Sequence, residues 1–286
     1  MDNSIPAKMD KSSPPPVNME DLTARRKMLL LVDLDHTIIH THNDRTVIRP
    51  GLKNALKEWH EKFDLVVCTM GCYNYAKHIL SIIDPDKKYF KGKFFCEMDY
   101  FFHKSEVFEY LCPDGDNSAI VMVDDYEYVW CESKNLVLVD KYVYFKEGMD
   151  ESADHEDKDT YLKTLTRILK DIHREYYYRV RSVFNTACPH SKDVIASLRK
   201  WILADVNLYL GKNVKYPDLV KRRAIEMGAK IADKVDSSVT HYVTAPFPQA
   251  VESGGIKLAK STALVTDEWI TKCYTHWRKV DEETHK

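Results

Sequence analysis

Along the first half of the chain, apolar residues fall in short unbroken runs rather than in alternation. Residues 29–32 (Leu-Leu-Leu-Val), 64–69 (Asp-Leu-Val-Val-Cys-Thr) and 119–124 (Ala-Ile-Val-Met-Val-Asp) are such runs. Each is short and polar-bounded, the pattern of a strand buried on both faces. Between them the period changes. Leu52, Ala55, Leu56 and Trp59 share one face of a helix expected over 52–62, after the break at Arg49-Pro50-Gly51. A second helix is expected over 73–83, closed by Asp84-Pro85. Buried strands separated by helices imply a parallel sheet with crossover helices.

The second half reads differently. Residues 147–159 hold seven acidic side chains against one lysine and read as a solvated linker. Leu162, Leu165, Ile168, Leu169 and Ile172 then recur at helical spacing over 161–181, and a further apolar helix follows near 194–203. Residues 204–286 read as a small α/β unit. It has strands at 206–210 and 239–243, a helix at 219–227, a turn at Gly228-Ala229 into Ile231, and a last helix opening at Asp267. Residues 1–27, polar and carrying Pro14-Pro15-Pro16, are expected to form a disordered arm. The division expected is therefore an arm (1–27), a first domain (28–146), an acidic linker with a helical connector (147–203) and a second domain (204–286).

Composition narrows the class. A net charge of −2 over 286 residues gives no general reason to expect nucleic-acid or membrane binding. The apolar runs are strand-sized, so no membrane span is expected, and the amino terminus lacks the apolar stretch of a secretory signal. Seven cysteines occur without a CxxC pair. An intracellular, reduced protein with neither disulfides nor structural zinc is expected. None of those cysteines has an arginine six places on, which argues against a thiolate phosphate loop.

In parallel sheets, ligands bind at the carboxyl ends of strands. Three expected strands end there in Asp33, Thr69 and Asp124, with Lys104 lying between the last two in sequence. Asp33 and Asp35 stand two apart, so on a continuing strand their side chains share a face, with Thr37 in the following turn. Carboxylates held close together repel, which favours a shared proton or a divalent cation. The bland readings are helix caps for Asp33 and Thr69, a surface lysine for Lys104 and a loop cap for Asp124-Asp125. Thr37 fits a phosphate contact or a turn residue equally well. Arg49 fits a peptide contact or a loop pin. His36, His40, His42 and His103 are spaced too irregularly for a zinc site and read as surface or rim residues.

Asp33-Leu34-Asp35-His36-Thr37 matches the DxDxT signature of haloacid-dehalogenase-like phosphatases, and resembles the RNA polymerase II C-terminal-domain phosphatases in particular. Val47-Ile48-Arg49-Pro50-Gly51-Leu52 and Cys68-Thr69-Met70-Gly71 with Tyr75-Ala76 are similar to neighbouring family segments. Ile82-Ile83-Asp84-Pro85-Asp86, Tyr89-Phe90, Val123-Asp124-Asp125 and Val129-Trp130 resemble the TFIIF-associating branch more than the small phosphatases. Residues 204–286 resemble a BRCT domain, with Gly228-Ala229 after its first helix and Trp269 in its last.

The resemblance implies an α/β fold: a haloacid-dehalogenase-like parallel-sheet domain, a helical connector and a small BRCT-like α/β domain. It implies a nuclear, monomeric, Mg2+-dependent protein serine/threonine phosphatase acting on the phosphorylated heptad repeats of RNA polymerase II through an aspartyl-phosphate. By the same resemblance Asp33 is the nucleophile and Asp35 the acid and base. Thr69 and Lys104 hold phosphoryl oxygens, Thr37 and Asp124 support, and the metal ligands are Asp33, the Asp35 carbonyl and Asp125, with Asp124 the alternative to Asp125 at the metal. General transcription factors are further candidate partners, nucleic acid and membrane are not, and the peptide is expected in a groove between the two domains. Two departures stand out. Phe95-Cys96-Glu97-Met98-Asp99 replaces the family's Ser-Arg-Asp segment, and Leu210 precedes Gly211 where phosphopeptide-binding BRCT domains carry Ser or Thr. The rival readings are a phosphatase for small molecules or nucleic-acid ends, and a non-catalytic BRCT scaffold.

Overall fold

The computed structural model describes residues 13–97, 103–131, 133–146, 148, 155–182, 189–245 and 259–283. Its first apolar run becomes strand β1 (Met28–Val32), with all five residues buried. β1 lies between two parallel partners, the later strands β4 (Phe63–Cys68) and β6 (Ile120–Asp124), in the register Val32↔Val67 and Val32↔Val123. Burial on both faces explains why the runs are continuous. Two short edge strands, β5 (Phe94–Phe95) and β7 (Leu136–Leu138), complete the parallel order β5-β4-β1-β6-β7. At two and three residues they carry no periodic signal. The hairpin of β2 (Ile39–His42) and β3 (Arg45–Ile48) was also absent from the sequence reading. Its turn residues Asn43 and Asp44 both take positive φ (46° and 61°), as a two-residue hairpin loop requires.

The helices α2 (Leu52–His60) and α3 (Tyr73–Ile83) lie where the period placed them, and α2 buries Leu52, Ala55, Leu56 and Trp59. A shorter helix, α4 (Val107–Leu111), leads toward β6 and buries Val107 and Leu111. The expected connector divides otherwise. Helix α5 (Tyr161–Val180) packs on α2, and Trp59 Nε1 donates to Thr166 Oγ1 at 2.9 Å. The first compact unit accordingly runs to Ile195. The apolar stripe of α5 was legible, but the surface it covers was not. Of the acidic stretch, Asp157 and Asp159 are also not free in solvent: Tyr142 donates to Asp157 and Arg49 pairs with Asp159.

The amino-terminal arm needs a similar correction from residue 13 onward; residues 1–12 lie outside the described residues. Met19–Ala24 forms helix α1, whose Asn18 side chain accepts from Asp21 N at 2.9 Å. Leu22 is buried, Val17 N donates to Leu111 O at 2.7 Å, and Arg25 pairs with Asp64 at 2.7 Å. One cap and one apolar anchor suffice where a preformed surface supplies the partner.

Arg49 fixes the loop after β1. It is fully buried between the rings of Tyr142 and Tyr161. Its guanidinium makes two bonds of 2.9 Å to the Asp159 carboxylate and donates to the carbonyls of Thr37 (3.0 Å) and Asp140 (2.9 Å). Of its two sequence readings, this geometry is that of the pin.

The second unit, Ala196–Lys286, is a four-stranded parallel sheet of β8 (Asn207–Leu210), β9 (Lys230–Ile231), β10 (His241–Thr244) and β11 (Ala263–Thr266), ordered β11-β10-β8-β9. Trp269 of the last helix (Asp267–His276) is fully buried, stacked on His241. Gly228 has φ +92°, and a Cβ there would lie 2.0 Å from the Lys200 carbonyl, so only glycine fits.

Four of Arg49's five N–H groups are paired, and its loss removes those donors from the Asp159 carboxylate and from the Thr37 and Asp140 carbonyls. Arg49→Ala is expected to destabilise the chain by about 3–5 kcal/mol, and Arg49→Lys by roughly half that, since an ammonium cannot reproduce the fork. Urea unfolding at neutral pH measures both. Equal midpoints for Arg49→Lys and the parent chain would show that charge alone matters there.

Candidate active site

The site grows from the register of the two central strands. Asp33 N donates to Val123 O at 3.0 Å, which carries the β1–β6 ladder one residue past Val32 and sets Asp33 beside Asp124. Lys104, at the start of a 3₁₀ turn (Lys104–Glu106), places its ammonium between them. Nζ lies 2.6 Å from Asp33 Oδ1 and 2.6 Å from Asp124 Oδ2. All three side chains are buried.

Asp124 is fully engaged. Its Oδ2 also accepts from Trp130 Nε1 at 2.8 Å, and its Oδ1 accepts from Tyr126 N at 2.9 Å. Asp125 makes no hydrogen bond or ion pair among the described residues, and neither does Asp33 Oδ2. One carboxylate oxygen from each of Asp33, Asp124 and Asp125 falls within a group spanning at most 4.8 Å. Three carboxylates against one ammonium leave a surplus of negative charge. Burial, then Asp124, pushes the Asp33 carboxyl well above its ordinary range, and the same two causes raise Asp125. Burial alone would lower Lys104, but Asp33 and Asp124 outweigh it and hold the ammonium protonated.

β1 ends at Val32, so strand alternation does not carry through to Asp35. The Asp35 carboxylate instead accepts from the Tyr75 hydroxyl, 2.6 and 2.7 Å from its two oxygens. Tyr75 stands on α3 and also bonds Thr41 Oγ1 on β2 at 2.8 Å. Burial and Asp35 both raise Tyr75, so it stays a donor. Thr69 follows β4, is buried, and accepts from Gly71 N at 3.1 Å. Thr37 is fully buried beneath the loop, and its hydroxyl is unpaired among the described residues. Sequence reasoning assigned no role to Tyr75 or Trp130. Both stand in segments that resemble the family's, and neither carries a signal for which aspartate it touches.

The histidines divide. His36, at φ 61°, has Nδ1 2.9 Å from the Tyr142 carbonyl. His40 is buried rather than on the surface or rim, and its Nδ1 accepts from Tyr144 N (2.9 Å) and Phe145 N (3.2 Å). Of the segment that replaces the family's Ser-Arg-Asp, Met98 and Asp99 lie outside the described residues. In the second unit, Gly211 N donates to Val243 O at 2.8 Å, and the Tyr242 side chain and Val243 carbonyl fill the space beside its Cα.

Fold and site thus define an α/β protein with a carboxylate–lysine centre at the carboxyl ends of a parallel sheet. Comparison with known proteins gives the class its name. Residues 28–181 match the model of the NLI interacting factor-like phosphatases, and residues 202–274 match the BRCA1 C Terminus (BRCT) domain. The chain belongs to the NLI interacting factor-like phosphatase family and carries a BRCT domain after the phosphatase domain. It is 29% identical to an RNA polymerase II C-terminal domain phosphatase of Caenorhabditis elegans over 92% of its own length and 46% of the relative's. It is 25% identical to RNA polymerase II C-terminal domain phosphatase-like 4 of Arabidopsis thaliana over 92% and 70%. The chain therefore spans about half of the worm protein. A solved structure of Fcp1, described as an essential RNA polymerase II CTD phosphatase, superposes with TM-score 0.74 at 21% identity, covering 93% of this chain and 98% of that one.

Burial, reinforced by His36, lowers the pKa of His40. A depressed folded-state value stabilises the chain above the unfolded pKa of about 6.5, and that stabilisation is lost as pH falls below it. Protonation also removes the acceptor that Tyr144 N and Phe145 N use. The melting temperature is expected to fall between pH 7.5 and 5.5, and His40→Asn to flatten that slope. A variant with the parent's full slope would clear His40 of the effect.

Proposed function

We propose that this chain is a Mg2+-dependent protein serine/threonine phosphatase acting on the phosphorylated heptad repeats of RNA polymerase II. The observation that carries the reading is the buried Lys104 ammonium shared by Asp33 and Asp124, with Asp33 Oδ2 and the Asp125 carboxylate free of donors among the described residues. Family membership supports the reaction class, the relatives' names support the substrate, and a nuclear place of work is our inference from that substrate.

A phosphoserine ester resists attack because its oxygens are anionic and its leaving group is an alkoxide. Three aids are needed: a fixed nucleophile, neutralised charge and a proton for the leaving oxygen. Asp33 Oδ1 is anchored by Lys104, so Oδ2 is the oxygen that attacks phosphorus. The P–O bond to serine breaks, and Asp35 donates the proton that the serine oxygen takes up. Asp35, now a carboxylate, takes a proton from water, whose oxygen displaces Asp33 and releases phosphate. Tyr75 holds Asp35 between these two tasks. An ammonium has three protons; two of Lys104's face Asp33 and Asp124, which leaves one for a phosphoryl oxygen. Thr69, at the end of the neighbouring strand, holds another.

The donor set fits Mg2+. Asp33, the Asp35 carbonyl and Asp125 are all hard oxygen ligands, the Asp125 carboxylate is unclaimed, and the cluster holds surplus negative charge. When bound, Mg2+ supplies neutralisation of these carboxylates and of the entering phosphate. Asp124, with three protein donors, is better suited to orienting Lys104 than to ligation.

Phosphate release from phosphorylated heptad peptides is expected to require Mg2+, to stop with EDTA and to return on adding Mg2+. Turnover that survives the chelator would sink the metal assignment. Mg2+ is also expected to raise the melting temperature, by an equivalent of about 2.7 kcal/mol at a hundred times its dissociation constant, and Asp125→Asn to abolish that shift. Asp33→Asn is expected to lower kcat by on the order of 10⁴-fold while the chain stays folded. Wild-type rates in that variant would move the nucleophile elsewhere, and equal rates on unrelated phosphopeptides would favour a broad phosphatase.

A further inference from the structure

The amino ends of the central strands carry a second feature. Arg26 precedes β1, Lys62 precedes β4, and Met28 N donates to Lys62 O, so the two residues are neighbours at that end of the sheet. Together with Arg181, at the end of α5, they border an open cleft of about 630 Å³. The cleft is also lined by Tyr177, Tyr178 and Arg174, and Glu61 is its one acidic residue among those described.

The charges there are not used up. Lys170 pairs with Glu58, and Arg174 pairs with Asp171 at 2.8 Å. Arg26, Lys62 and Arg181 make no side-chain hydrogen bond or ion pair among the described residues. The Arg26 guanidinium lies over the Tyr177 ring at 5.4 Å, and Tyr177 is fixed by donating to Lys27 O at 2.6 Å. The helix dipole accounts for a cation at Arg181 but not for Arg26 and Lys62, which come from separate segments. Three cations without an acidic partner among the described residues converge on one cleft beside a tyrosine that is 70% exposed, Tyr178.

We propose that this cleft docks a second phosphoserine of the same extended peptide whose first phosphoserine enters the active site. The inference rests on the substrate reading above. β1 is five residues long, so strand length alone separates the two ends of the sheet by roughly 17 Å. One extended heptad spans about 23–25 Å, so a phosphate one or two repeats away reaches the cleft around the surface. A small patch of three free cations matches a dianionic phosphoserine. A long polyanion such as RNA calls for a basic stripe, and this chain's net charge of −2 offers none in general.

The test compares four-heptad peptides carrying one phosphoserine or two placed two repeats apart, at about 0.1 M salt where surface charges still act. The parent chain is expected to show a KM per phosphate about five- to tenfold lower for the doubly phosphorylated peptide. The double variant Lys62→Gln, Arg181→Gln is expected to lose that gain while keeping its kcat/KM on the singly phosphorylated peptide and its melting temperature. If the variant keeps the gain, or loses activity equally on both peptides, the docking site is wrong. It is equally wrong if the variant weakens binding of single-stranded RNA and leaves the peptide gain intact. If the parent hydrolyses neither peptide, the substrate reading fails instead. Fluorescence anisotropy of the labelled doubly phosphorylated peptide on the same two proteins then decides the docking separately: tighter binding to the parent supports it, and equal binding overturns it.

Discussion

Everything at the carboxyl end of the sheet depends on one buried ammonium. Lys104 reaches across from a 3₁₀ turn to meet Asp33, just past the end of one central strand, and Asp124, the last residue of the next, each at 2.6 Å. Removing a charge from water is expensive, and the Lys104 ammonium offsets part of that cost for Asp33 and Asp124, while the carboxylates repel one another. The adjacency is a property of the sheet. β1 pairs β6, the ladder continues to Asp33 N, and two acids 91 positions apart arrive side by side.

Arg49 shows the same chemistry put to another use. It too is buried and meets a carboxylate, yet its fork and the Asp159 oxygens are matched bond for bond, with two carbonyls taking further protons. The Lys104 cluster is left incomplete: one ammonium proton, Asp33 Oδ2 and the whole Asp125 carboxylate have no partner among the described residues. A structural ion pair closes on itself, whereas a reactive one keeps donors and acceptors for something not yet there. That difference in satisfaction separates the two sites more clearly than burial does.

Local periodicity made much of this legible. The long buried strands and helices α2, α3 and α5 follow directly from apolar spacing, because each buries a face or both faces continuously. Edge strands of two or three residues were lost because nothing repeats within them. The β2–β3 hairpin was lost because its turn is Asn-Asp rather than an Asn-Gly signal. At the site, Asp33, Asp35, Thr69, Lys104, Asp124 and Asp125 were named from strand ends and motif order. The partners that fix them were not: Tyr75 meets Asp35 across 40 positions and Arg49 meets Asp159 across 110. Such pairings belong to tertiary packing and leave no trace in spacing. The misread arm and connector have the same cause, since an amphipathic segment reveals its apolar face but not the surface that covers it.

The charge balance constrains how a phosphorylated substrate reaches this sheet. Its carboxyl end is acidic on balance, so an arriving phosphate dianion meets repulsion there before the single free proton of Lys104 can help. A bound divalent cation would cancel that surplus, which would tie substrate entry to metal occupancy rather than to chemistry alone. The unclaimed cations sit at the opposite end, where Arg26 and Lys62 open β1 and β4. A small monoester touches only one end and gains nothing from the other. On the proposed docking, a repeating, multiply phosphorylated chain would span both, so the polarity of a parallel sheet would become a reason to prefer a long substrate over a short one.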